Sequence, residues 1–146
     1  MQIVDANLLI YAVNSSADEH RTARTWLDES LAGTEPVGFA WIALLAFLRL
    51  TTRPGLFPAP LTLEAALTQV ETWLAQPAAV IVHPTARHLP VLHGLLEPLG
   101  TAANLVNDAH LAALAVEYGA RIISFDHDFG RFTGVRWAPP GPRPGC

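Results

Sequence analysis

The chain has no lysine, a single cysteine, and no apolar run approaching the length of a membrane span. All nine basic residues are arginine. That removes the mechanisms built on a primary amine: a phosphate-cradling P-loop lysine, a Schiff base, and the lysine that receiver domains and aspartate-nucleophile phosphatases set beside their acids. The one thiol, Cys146, is the last residue. Neither a disulfide framework nor a cysteine-based zinc site can be built from it. With no apolar span and no basic segment leading into an apolar one, the expectation is a cytoplasmic chain without membrane contact. Positive charge is scarce as well. A formal net charge of -4 argues against a protein that coats nucleic acid by bulk electrostatics, although the planar guanidinium fork leaves local phosphate contacts open.

What is present suits one domain with a full core, since 146 residues at 51% hydrophobic composition are too few for two ordinary domains. The expected boundaries are a domain over 1–138 and a disordered Pro/Gly-rich tail over 139–146. Short apolar runs predict strands at Gln2 to Val4, Val37 to Phe39, Val80 to Val82, Arg121 to Ser124 and, as a last edge strand, Val135 to Trp137. Between them, helical spacing predicts Leu8 to Val13, Glu19 to Leu31, Trp41 to Thr51, a helix from Thr62 to about Leu74, one capped by Pro84-Thr85 that turns Leu89, Leu92, Leu95, Leu96 and Leu99 inward, and Val106 to Tyr118. Strands alternating with helices indicate an α/β layered fold with a mainly parallel sheet. Such sheets bind ligands beyond the carboxyl ends of their strands.

Acidic residues collect at that edge. Asp5 follows the first strand, Asp126 follows the last main one, Asp128 stands two residues on, and Asp108 opens the helix in NLVNDAHLAALA. Any one of them alone reads as a cap or turn residue. Together at one crevice they would repel one another, and a hard cation such as Mg2+ or Mn2+ is what makes such a cluster tolerable. The chemistry implied is hydrolysis of a phosphate ester by activated water. Asn7 and Ser124 are candidates for orienting a ligating carboxylate. Arg49 is a candidate RNA-phosphate contact, with Arg53, Arg131 and Arg136 weaker ones. His110 and His127 read as structural residues.

The stretches VDANLLIYA, AFLRLTTRPG and NLVNDAHLAALAVEYGARIISFDHDFGRF occur in the order found in PIN-domain proteins, and the chain resembles the VapC toxins of bacterial toxin-antitoxin pairs from Ile3 to about Trp137. The resemblance implies a three-layer α/β/α PIN-like fold and a Mg2+- or Mn2+-dependent endoribonuclease. It also implies a homodimer, a cognate VapB-like antitoxin, and transfer or ribosomal RNA as candidate targets. The family's metal ligands map onto Asp5, Asp108 and Asp126, which are also the implied catalytic residues, with Asp128 as a supporting acid. There is one departure. The family usually carries a glutamate where this chain has Ala46, on a stripe with Ile42 and Arg49. That keeps open an alternative: a PIN-fold binding module with weak or no catalysis. An apolar surface for the antitoxin is expected around Trp26 and Phe47 to Leu56.

Overall fold

The computed structural model describes residues 1–55 and 58–142. In chain order the elements are β1 (Gln2–Val4), α1 (Ala6–Val13), α2 (His20–Leu31), β2 (Val37–Ala40), α3 (Trp41–Thr51), α4 (Leu63–Leu74), β3 (Ala79–Val82), α5 (His88–Leu96), α6 (Val106–Tyr118), β4 (Arg121–Ile123) and β5 (Trp137–Ala138). The five strands form one sheet in the order β3-β2-β1-β4-β5. Every pairing is parallel.

Period-two alternation sends neighbouring strand residues to opposite faces, and this divides the interior. Val4, Phe39 and Ile123 pack with Leu8, Leu9, Leu27, Leu44, Phe47 and Trp73 from α1 to α4. Ile3, Ala40, Val82 and Ile122 pack with Leu95 of α5 and the buried face of α6 on the other side. The result is three layers, helix on sheet on helix. The sheet is thin at β2, where a Cβ on Gly38 would stand 2.9 Å from Cγ1 of Ile3 and 3.1 Å from Cγ1 of Val82. Only glycine fits there without displacing a neighbour.

Helix ends follow the local chemistry. Thr62 caps α4 by accepting a hydrogen bond from the Ala65 amide at 3.1 Å. Gly119 closes α6 in the left-handed region at φ 61°, where a side chain would be strained. Two expectations are corrected. Leu89 does not turn inward: it is 74% exposed, and the first turn of α5 packs through His88 and Val91 instead. Trp26 and Phe47 are buried in the domain's own core, Trp26 reaching only the floor of a cleft, while Trp41 and Leu45 are the exposed apolar residues of α3. Leu56, the end of that expected surface, lies outside the described residues.

Beyond β5, Pro140 is buried, and Gly141 and Pro142 line a cleft with Arg21, Thr25 and Trp26 of α2. Residues 143–146 of the expected tail lie outside the described residues. Among the described residues, no helix is long and apolar enough to cross a membrane.

Candidate active site

The strand order places the site. The chain builds β1, β2 and β3 in one direction and then crosses back to lay β4 on the other side of β1. That reversal opens a crevice at the carboxyl ends of β1 and β4, where parallel sheets bind ligands. The Asp5 amide donates to the Ile123 carbonyl at 3.0 Å, which carries the β1-β4 ladder one residue past the strand and sets Asp5 beside Ser124.

Asp5 is the N-cap of α1, and Oδ1 accepts from the Ala6 amide at 2.7 Å. Its other oxygen, Oδ2, accepts from the Ser124 hydroxyl at 2.7 Å. Ser124 is fully buried and works as a hub. Its Oγ also accepts from Asn7 Nδ2 at 3.0 Å and from the Asp126 amide at 2.9 Å. Asn7 closes the loop by accepting from the Phe125 amide on Oδ1 at 3.2 Å. Asp126 in turn caps the short 3-10 turn His127–Arg131, with Oδ1 accepting from the Asp128 amide at 2.9 Å. Two chain segments more than 100 residues apart are thus pinned into one rigid rim.

Asp108 enters from the first turn of α6, where the helix dipole favours negative charge. One oxygen from each of Asp108, Asp126 and Asp128 lies within 4.8 Å of the others. Asp5 stands outside that trio but is electrostatically coupled to Asp108 and Asp126. Partial burial and then the charges of Asp5, Asp126 and Asp128 push the Asp108 carboxyl up to about 6. Burial also raises Asp5, against the lowering hydrogen bonds from Ser124 and Ala6, and Asp126 adds to the rise.

This donor set fits a hard divalent cation. It is all oxygen, it is crowded with like charge, and ligand oxygens around an octahedral ion at about 2.1 Å stand roughly 3–4 Å apart. Removing the hub should show itself: Ser124→Ala strips Asp5 of a donor and leaves the Asn7 amide and the Asp126 N–H unpaired. Affinity for Mn2+ measured by calorimetry is expected to fall about 10–100-fold. An unchanged affinity would show that the rim does not hold the acids in place.

Other candidates are placed less centrally. Arg49 is exposed on α3, beside the half-buried Ala46. Arg131 Nε lies 3.5 Å from Asp128 Oδ1, at the rim of the acid cluster. Arg136 donates to the Gly119 carbonyl at 2.6 Å and so closes the end of α6. His127 packs edge-on against Trp137, with ring centroids 5.3 Å apart. His110 faces His88 of α5. Sequence reasoning passed over Glu117, which accepts from His88 and from both donors of Thr85. In the sequence it is one more acid near a helix end, and no local pattern marks it.

The PIN domain family profile matches residues 3–135. The chain is 61% identical to ribonuclease VapC37 of Mycobacterium tuberculosis, over 96% of this chain and 97% of that one. In structure it is similar to a chain of VapBC2 from Rickettsia felis, solved bound to a promoter DNA fragment, with a TM-score of 0.69 at 16% identity over 94% of this chain and 97% of that chain. It is also similar to VapC20 of Mycobacterium tuberculosis, described as a sarcin-ricin loop cleaving toxin, with a TM-score of 0.63 at 20% identity over 93% of this chain and 99% of that chain.

Proposed function

The chain belongs to the PIN-domain family, among the VapC ribonucleases, and on that premise we propose that it is a Mg2+- or Mn2+-dependent endoribonuclease acting as the toxin of a VapBC-type pair. The observation that carries the reading is the convergence of Asp108, Asp126 and Asp128, with Asp5 coupled to them, at the carboxyl edge of the sheet. These four acids are the residues that would hold the ion, with Asp5, Asp108 and Asp126 in the catalytic role. A bound divalent cation supplies an activated water and charge stabilisation at phosphorus.

The protein's own part is positional and electrostatic. Ser124 and Asn7 keep the Asp5 carboxylate turned to the crevice. The four carboxylates repel a phosphodiester until their charge is neutralised, so substrate binding and cation binding are coupled through the same residues. Arg131 stands beside Asp128 and, with the exposed Arg49 of α3, serves as a phosphate contact in this reading, which suits the fork geometry of guanidinium. Single-stranded RNA loops are the substrate class, because their bases and backbone are accessible where those of an A-form duplex are not. The partners in this reading are an RNA of the transfer or ribosomal class, a cognate VapB-like antitoxin and a second copy of the chain. The compartment is the cytoplasm.

Incubating total RNA with the purified chain in Mg2+, in Mn2+ and with excess chelator tests the reading. Discrete cleavage products are expected with either ion and none with chelator. Intact RNA under conditions where Mn2+ measurably binds would instead favour a binding module, the reading that Ala46 motivates by placing a methyl group where the family usually has a carboxylate.

A further inference from the structure

On α6, two residues past Asp108 and so about 200° around the helix axis, His110 points away from the acids and meets α5. Its Nδ1 lies 2.9 Å from Nε2 of His88. The other nitrogen of His88, Nδ1, is 2.6 Å from Oε2 of Glu117. Glu117 is a carboxylate with no exposed side-chain surface, and its Oε1 accepts from the Thr85 amide at 2.8 Å and the Thr85 hydroxyl at 2.6 Å. A carboxylate accepts only, so His88 Nδ1 is the nitrogen that carries a proton toward Glu117, and Nε2 of the neutral ring is the one that offers a lone pair on the His110 side.

We propose that His88 and His110 form a binding site for a borderline divalent transition ion of the nickel, copper and zinc class, clamping α5 to α6. The arrangement around His88 is the one metal-binding histidines adopt, in which a buried carboxylate fixes the tautomer and ring orientation from behind. The spacing also fits. Two imidazole nitrogens bound at about 2.0–2.1 Å stand roughly 2.9 Å apart at a right angle and 3.3 Å apart at a tetrahedral one. The observed 2.9 Å matches the right-angle spacing. The rings cross at 72° with centroids 4.7 Å apart, so their faces do not stack over the nitrogens. His110 is half-buried, which leaves water to fill the remaining positions.

For the ion to bind, His110 carries its proton on Nε2 in place of Nδ1, and the hydrogen bond between the rings is exchanged for two metal bonds. Ligand softness separates this site from the acids: imidazole suits nickel, copper and zinc, while carboxylates and water suit magnesium and manganese. Binding to the folded state alone would raise thermal stability.

The test is titration of the untagged chain with Ni2+ by calorimetry, in millimolar Mg2+, alongside His110→Gln and Asp108→Asn. The Gln amide can still hydrogen-bond His88, so the variant keeps the helix contact while losing the ligand. One saturable site is expected, weakened at least about tenfold in His110→Gln and within twofold of the parent in Asp108→Asn. In the parent, the Cu2+ electron paramagnetic resonance spectrum should show splitting from two imidazole nitrogens. Nickel affinity unaffected by His110→Gln, affinity lost with Asp108→Asn, or no saturable binding up to millimolar Ni2+ would each overturn the proposal. None of these outcomes bears on RNA cleavage, so the two readings stand or fall separately.

Discussion

Asp108→Asn is expected to cut RNA cleavage by at least about 100-fold, roughly 3 kcal/mol of lost transition-state stabilisation, and to abolish the rise in melting temperature that Mg2+ or Mn2+ produces. The same change should leave the metal-free fold as stable as the parent near neutral pH, or more stable. Asp108 is held at about 6, well above the usual carboxylate value of 3.8, by burial and by Asp5, Asp126 and Asp128. An acid whose folded value is raised takes up a proton on folding, so its stabilising share is complete below about pH 4 and fades as pH rises through about 6. The metal-free parent should therefore lose melting temperature across that window relative to Asp108→Asn. Cation affinity should run the opposite way, dropping below about pH 6 as protons occupy Asp108. Calorimetric melting with chelator across pH 4–8, with cleavage rates in parallel, checks both halves. A variant that cleaves RNA at the parent rate would remove Asp108 from the site.

Glu117→Ala should be strongly destabilising although the residue lies outside both the acid cluster and the apolar core. The carboxylate holds two donors of Thr85 and one of His88, and it is closed off from solvent. Removing it leaves those donors unanswered and frees the β3-α5 connection from α6, at a cost of about 2–3 kcal/mol. For a chain of this size the melting temperature should fall roughly 5–10 °C. Glu117→Gln should fall between the two, since its amide oxygen keeps one acceptor. Here the pH sign is reversed. Burial alone would raise this carboxyl, but the hydrogen bonds from His88 and Thr85 outweigh it and hold it below the usual range. Its contribution is present above the unfolded-state value and is lost as pH falls through the folded one. Cleavage by folded Glu117→Ala at low temperature should match the parent, because the residue touches none of the four acids. A melting temperature unchanged by Glu117→Ala would show that the network carries no stability.

Most of the fold was legible because secondary structure answers to contiguous residues. Helical spacing placed α3 and α6 at Trp41–Thr51 and Val106–Tyr118, as the structure has them. Apolar runs located all five strands to within a residue or two. The cap at Thr62 and the stop at Gly119 are single-residue chemistry of the same local kind. The error at Leu89 has the same source. Its spacing matched a buried stripe, but whether a helix's first turn is covered depends on what lies across from it, and the local pattern says nothing of that.

The candidate site divides along the same line. That Asp5 and Asp126 follow strands, and that Asp108 opens a helix, can be read from the chain, and a parallel sheet then sends them to one edge. That β4 pairs with β1 on the side away from β2 cannot be read there. This pairing brings Ser124 to Asp5 and Asn7, draws Asp108, Asp126 and Asp128 together, and leaves Asp5 beside the trio. Glu117, His88 and His110 are likewise ordinary residues until α5 packs on α6. Periodicity and capping act between near neighbours, so the elements, the layered architecture and the inventory of acids are written in the chain itself. The tertiary structure alone decided which carboxylates share a crevice and which imidazoles meet, because those distances are set by strand order and helix packing between segments far apart in the chain.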